Sequence, residues 1–462
     1  MQEERRGETA FAAFLNKWIR YTQYSVNIEF QHQYSGGHRF MREGVAINVS
    51  GYITGEFGLG EAARSVIRSI DAAGIPYLLN NFDSNPHRKK DTTFTTFSRE
   101  NPYPVNLILV NPDGLDAFLL EYGSTYFENK YNIAFWFWEL GDFPVEWQKY
   151  MALFDEIWTG SLYSLDAIAY ATDRPVLRVP LSIHLTPKAI HPMFLQDLKD
   201  KFVFLSVFDF RSTFQRKNPD KVIDAFLTSF ENREDAMLVL KYTNSDANLT
   251  KKKMLDDRAG RHENIYIMDD YLHRDALVAL FQRADCYVSL HAAEGFGLPI
   301  AEAMFLGKPV IATGYSANME FMTVNNSFPV RFSLELVGET EGPYTKGNIW
   351  AKPDVAHCAE LMAFVYENPS VARKIGKRAR QDITALFSDQ SIGARIKKRI
   401  LRIDEITNHF RSIALENRQR ARLIKAHAEI ARLARDADIL SRIFGRLLNT
   451  TIRWMRNIQK KL

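Results

Sequence analysis

Short apolar runs alternate with amphipathic stretches along this chain, and the alternation becomes regular at Gly44. GVAINVS (44–50) is an apolar strand that feeds the glycine-bearing loop GYITGEFGLGE and then the helical run EAARSVIRSIDAAG. Further strands are predicted at PYLLNNF (76–82), VNLILVN (105–111), YNIAFWFWE (131–139), DEIWTGS (155–161) and PVLRVPL (175–181). Between His184 and Lys201 the rhythm stops, and Pro187 and Pro192 mark this stretch as a linker. It restarts with strands at KFVFLSVFDF (201–210), AMLVLKYT (236–243), NIYIMD (264–269), DCYVSLH (285–291) and PVIAT (309–313), plus a helix at NPDKVIDAFLTSF (218–230). Strands separated by helical stretches predict parallel sheets covered on both faces. Two such units, 44–190 and 191–387, would face each other across a cleft, since open sheets bind ligands beyond the carboxyl ends of their strands.

The aromatic-rich segment 133–161 reads mostly as core. Phe135 and Phe137 alternate along a strand, and Trp147, Met151 and Phe154 recur at helical spacing. Before Gly44, an extension (1–43) carries Phe11, Phe14, Leu15, Trp18 and Ile19, the pattern of a short amphipathic helix. At the other end, 388–410 reads as a helix and 411–462 as a basic amphipathic tail. From Arg418 to Leu462 there are 12 Lys/Arg against three Asp/Glu, with apolar positions near helical spacing from Leu423 to Ile458. Such a helix suits either an anionic membrane surface or a coiled-coil partner.

Composition narrows the class. A chain of 462 residues is long for one core. Its 46% hydrophobic and 25% charged content is that of a soluble globular protein. A net charge of +4 gives no reason to expect nucleic acid as a partner. With Cys286 and Cys358 as the two cysteines, neither a disulfide framework nor a cysteine-rich zinc site is expected. The opening MQEERRGETA does not read as a secretory signal, and no run reaches the roughly 18 apolar residues of a membrane span. A cytoplasmic protein is expected, one that would reach the inner face of the cell membrane if the tail binds lipid.

The candidate chemistry centres on SLHAAEGFGLPIAEAMFLGKPVIAT (289–313). A strand is followed by the tight loop Glu294-Gly295-Phe296-Gly297-Leu298, and a helix begins near Pro299. Glycines admit close approach of a ligand, and helix-start amides supply donors suited to a diphosphate. Glu294 and Glu302, eight positions apart, can accept hydrogen bonds from sugar hydroxyls at opposite ends of one ligand. Taken alone, an EGFG turn with solvated glutamates would explain these residues as well.

The whole segment, through Ala301-Glu302-Ala303-Met304 and Gly307-Lys308-Pro309-Val310-Ile311-Ala312, resembles the E-x7-E signature of the retaining family 4 glycosyltransferases with the GT-B fold. That resemblance implies two Rossmann-like domains facing across a cleft, with a C-terminal helix crossing back to the first. It implies that Glu294 contacts the donor sugar and Glu302 the nucleotide ribose. The amides of Phe296, Gly297 and Leu298 would face the diphosphate or sugar. Arg211 and Lys217, in SVFDFRSTFQRKNPDKVIDAF, are the basic pair expected on the leaving diphosphate, with Arg216 an alternative to Arg211. Gly58 and Gly60 match the family's first-domain glycine loop, Tyr271 and Leu272 its base pocket, and Glu320 an acidic position near the donor. Glu139, in Trp138-Glu139, stands near the place where relatives carry a histidine, and with Asp113 it is a candidate for the acceptor side.

No cofactor is implied, the nucleotide sugar being a substrate. Metal independence is expected as well, because the Asp-x-Asp here, Asp436-Ala-Asp438, lies in the tail. Asp83 after the second strand keeps an NAD-binding reading open, although the spacing is GxxGxG rather than G-x-G-x-x-G. The W-E-x-x-x-F-P stretch resembles enzymes of bacterial surface-polysaccharide assembly. It points toward GDP-mannose as donor, hence a mannosyltransferase, and a glycan or lipid-linked acceptor. The alternatives are an epimerase or phosphorylase on the same fold, or a catalytically silent scaffold recruiting partners through its tail.

Overall fold

The computed structural model describes residues 45–186 and 198–407. The expected helix around Phe11–Ile19, most of the linker and the tail from 411 lie outside these residues.

In the first domain six parallel strands form one sheet: β1 (Ile47–Gly51), β2 (Tyr77–Asn81), β3 (Val105–Leu109), β4 (Tyr131–Phe135), β5 (Glu156–Thr159) and β6 (Val176–Arg178). Their order is β2-β1-β3-β4-β5-β6. Helix α1 (Gly58–Ala72) covers one face because Ala62, Ala63, Val66, Ile67 and Ile70 share a buried stripe. Helices α2 (Leu115–Tyr122) and α3 (Leu162–Ala169) complete the unit. β4 is shorter than the apolar run predicted, ending at Phe135. Trp136 still bonds the Trp158 carbonyl, but Trp136, Phe137 and Trp138 then leave the sheet and bury on both of its sides. Val145–Leu153 forms 3₁₀ turns rather than the α-helix that the Trp147–Met151 spacing predicted.

The second domain repeats the plan with β7 (Phe202–Asp209), α4 (Phe214–Lys217), α5 (Pro219–Phe230), β8 (Ala236–Thr243), α6 (Leu249–Ala259), β9 (Ile265–Asp269), α7 (Arg274–Arg283), β10 (Cys286–Ser289), α8 (Leu298–Phe305), β11 (Val310–Thr313) and β12 (Phe328–Val330). Its parallel order is β12-β11-β10-β7-β8-β9. A hairpin of β13 (Phe332–Leu336) and β14 (Ile349–Pro353) follows, and no sequence pattern announced it, since every residue of β13 is exposed. Helices α9 (Val355–Glu367) and α10 (Pro369–Leu386) close the domain.

The strand order reverses direction between β1 and β3 in one sheet and between β7 and β10 in the other. Ligands in open sheets sit at such switch points. They place the loops after β1, β3, β7 and β10 at the functional end of each domain.

A last helix, α11 (389–407 within the described residues), returns to the first domain. Ile392, Ile396, Ile400 and Ile403 bury in the core shared with α1, and a Cβ on Gly393 would lie 2.1 Å from the Ser69 carbonyl oxygen. Arg399 fixes the crossing: its Nε donates to the fully buried Glu156 at 2.9 Å, beside donors from Trp158 Nε1 at 2.5 Å and Tyr131 at 3.1 Å. Arg399→Ala should lower unfolding stability by about 1–3 kcal/mol in urea titration, because a buried carboxylate loses its cation. An unchanged midpoint would remove Arg399 from that role. Among the described residues, no helix is long and apolar enough to cross a membrane.

Candidate active site

At the switch point of the second domain, the β7 loop and the β10 loop meet. Lys217, the last residue of α4, bonds Glu294 through its ammonium. Arg216 reaches the same carboxylate at 3.7 Å, donates to the Ala293 carbonyl at 2.9 Å and lies 3.8 Å from Glu139 of the first domain. Asn218 takes the left-handed region (φ +47°) and turns the chain directly into α5, leaving Lys217 pointing at the β10 loop. Glu294 is 8% exposed, so its charge depends on these partners. Burial pushes its carboxyl up, but Lys217, Arg216 and His291 together more than reverse this and hold it down to about 2.

His291 itself is fully buried and structural. Asn318 donates its amide to Thr313, so its Oδ1 must accept from His291 Nε2 at 2.9 Å, leaving Nδ1 to accept from Ser289 at 3.1 Å. Burial pulls this imidazole below the usual histidine range, so the ring is neutral at pH 7 and gains its charge only in acid, where it acts on Glu294. The Glu294 amide donates to Ser316 Oγ at 2.8 Å, and Ser316 is held at φ +71°, a strained conformation for a non-glycine residue.

Gly295 is one of the points where the two domains touch. Its carbonyl accepts from Ser161 at 2.7 Å, and an added Cβ would press on the Trp138 carbonyl at 3.2 Å. Gly297 (φ +87°) then caps α8 and leaves helix-start amides free of intrahelical bonds. The Phe296 side chain faces inward, between Phe321 and Phe387.

Glu302 belongs to a different charge group. Its carboxylate is bonded by Arg274, the first residue of α7, which also lies 3.9 Å from Glu61 of α1. Burial pushes the Glu302 carboxyl up despite that cation. Glu61 in turn pairs with Arg64 at 3.0 Å and Arg68 at 2.9 Å. The loop ahead of α1 is closed by Gly60, where a Cβ would fall 2.0 Å from the Gly55 carbonyl oxygen; Gly58 has open space around it.

Several expected residues lie apart from Glu294. Arg211 stands 4.0 Å from Asp246, with its amide on Asp209 at 2.9 Å, so the second cation on Glu294 is Arg216. Glu320 joins the domains, accepting from the Leu162 amide and pairing with Arg178 at 2.5 Å. Leu272 packs against the main core. Tyr271 bonds Asn244 and carries Arg88 over its ring at 5.3 Å, near His87, whose Nδ1 is 3.7 Å from Asp209. Asp113 is exposed on the turn after β3, whose Asn111 is bonded to the Phe137 backbone at 3.0 and 3.1 Å. Glu139 accepts from Tyr344 at 3.1 Å and so joins the Glu294 group through Arg216. Arg274 and Tyr344 were not foreseen. Arg274 opens the helix after Tyr271-Leu272, a position where a cation beside an E-x7-E glutamate could have been sought.

Two facing sheets of this kind with a returning C-terminal helix constitute the GT-B fold. Residues 195–382 match the family model of the glycosyl transferases group 1. HepE from Anabaena, solved in complex with UDP and glucose, is 15% identical, with a TM-score of 0.56, over 78% of this chain and 100% of its own. Sucrose-phosphate synthase from Thermosynechococcus elongatus gives the same four values. A glycosyltransferase from Rickettsia africae is 13% identical, with a TM-score of 0.54, over 78% of this chain and 99% of its own. Among curated proteins none matches in sequence. The family match falls on the second domain, the one that carries Lys217 and Glu294.

Proposed function

We propose that the chain transfers a sugar from a nucleoside diphosphate to an acceptor hydroxyl with retention of anomeric configuration. The observation that carries this reading is the buried Glu294 carboxylate held by Lys217 and Arg216 at the switch point of the domain that matches the glycosyltransferase family. In this reading the diphosphate takes Lys217, Arg216 and the amides at Gly297 and Leu298, Glu294 takes sugar hydroxyls, and Glu302 takes the ribose. Fixed cations at a departing diphosphate stabilise charge as it grows. The anomeric carbon–phosphate oxygen bond breaks, the acceptor oxygen bonds the same face, and the acceptor proton passes to the leaving phosphate oxygen. Glu139 and Asp113 serve the acceptor, and neither a cofactor nor a metal takes part. GDP-mannose and a polysaccharide or lipid-linked acceptor are the substrates favoured, with the tail reaching a membrane or a partner helix.

A panel of GDP-, UDP-, ADP- and dTDP-sugars, followed for hydrolysis without acceptor, tests the reading. One donor should be consumed and its released sugar should keep its anomeric configuration by NMR. Consumption of none would leave the scaffold alternative.

The Arg274–Glu302 pair yields a pH-dependent expectation. Arg274→Ala leaves the buried Glu302 with Arg68 as its remaining cation and Glu61 opposing it, which raises its carboxyl further. Nucleotide affinity at pH 7 should fall about tenfold, the scale of one hydrogen bond to a charged group. It should recover as pH rises and the carboxylate returns. Calorimetric titration at pH 6 and 8.5 decides this; equal affinity to wild type at both would detach Glu302 from the ribose.

A further inference from the structure

The β13–β14 hairpin belongs to the second domain, yet its far end is buried against the first. Leu334 and Leu336 on its strands are exposed, whereas Val337, Tyr344 and Trp350 are buried in the aromatic cluster that contains Trp136, Trp138 and Trp147. Gly342 and Gly347 take positive φ, and Glu341 and Tyr344 exchange backbone hydrogen bonds of 3.1 and 3.2 Å, which shapes a tight tip. At the base, the Ala351 amide donates to Ala292 at 3.0 Å, tying β14 to the loop that carries Glu294.

Tyr344 is what the tip delivers. Its ring stacks on Trp138, 5.5 Å between centroids and 13° between planes, and its hydroxyl donates to Glu139 at 3.1 Å. Above the same ring sits the Arg216 guanidinium, 5.6 Å from the centroid. That guanidinium is buried, and its Nε has no hydrogen-bond partner, so packing against the ring supplies orientation that hydrogen bonding does not. One side chain thus contacts a carboxylate of the first domain and a cation of the second, and the cation touches Glu294.

We propose that Tyr344 is a positioning residue for sugar transfer: it sets Arg216 against Glu294 and turns Glu139 toward the acceptor, and the hairpin exists to place it. This rests on the donor assignment above. The hairpin then acts only when the domains are together, which couples closure to a correctly aimed cation.

Two variants separate the contacts. Tyr344→Phe keeps the ring and loses the hydroxyl, so kcat for transfer should fall about tenfold, the scale of one hydrogen bond to a charged group, while the donor KM stays within about twofold. Tyr344→Ala also loses the ring and should cost about a further tenfold in kcat, partly restored by Tyr344→Trp. Wild-type kcat in both Phe and Ala variants overturns the proposal. So does a Phe variant in which kcat and the unfolding midpoint fall while donor KM rises several-fold, the mark of a purely structural role. A crystal structure of Tyr344→Ala reads the same point without activity. Arg216 should have moved off Glu294, from which it stands 3.7 Å in the wild type, and an unmoved guanidinium contradicts the proposal. Should wild type consume no nucleotide sugar, the donor assignment fails while that crystal structure still decides what Tyr344 holds.

Discussion

Glu294→Gln should reduce sugar transfer by about 10²–10³-fold per folded molecule, the range observed when one electrostatic contact to a transition state is removed. The substitution keeps the size of the side chain and its capacity to accept a hydrogen bond, but removes the charge that Lys217 and Arg216 surround. Two buried cations would then face a neutral amide, and Lys217 would lose its only carboxylate within ion-pair distance among the described residues. Some stability is lost for the same reason, so rates must be compared well below the unfolding midpoint of the variant. Retained activity would show that Glu294 is a strut for the β10 loop rather than a sugar ligand.

Lys217→Ala should be similarly severe, at about 10²–10³-fold in kcat, since the proposed function places this cation on the departing diphosphate. It also carries a distinct acid signature. In wild type Glu294 is held down to about 2 from an ordinary value of 4.5. A depressed carboxyl contributes stability that is complete above its unfolded value and is lost as pH falls through its folded one. That loss therefore runs from about pH 4.5 down to 2 in wild type. Without Lys217 only Arg216 and His291 oppose burial, so the folded value climbs and acid unfolding moves to higher pH. Fluorescence-monitored acid titration of both proteins measures this. Coincident curves would mean that the pair does not hold in solution.

Most strands of the two parallel sheets were legible because strands such as β1, β3, β5 and β11 are buried along their whole length, so each reads as an unbroken apolar run between turns; the three-residue β12 was too short to read. Their ends were less so: β10 stops at Ser289, two residues before His291, because the chain must bend to bury that ring. The hairpin escaped notice for the opposite reason, since β13 buries nothing and Phe332, Leu334 and Leu336 alternate with Ser333 and Glu335 on an open surface. Within the site, the E-x7-E spacing located both glutamates but not their company. Loop geometry after β7 decides that Arg216 rather than Arg211 meets Glu294, and no one-dimensional spacing encodes which of three cations turns inward. Likewise Glu320 stands out in sequence as an acidic position expected near the donor, and only the packing of α3 against the loop after β11 makes it a tie to Arg178.

The direct test is a crystal structure with a bound nucleoside diphosphate, chosen from the donor panel. Its phosphates should lie against Lys217, Arg216 and the Gly297–Leu298 amides, with the ribose hydroxyls on Glu302. A nucleotide seated elsewhere, with the Lys217–Glu294 pair intact and untouched, would contradict that assignment.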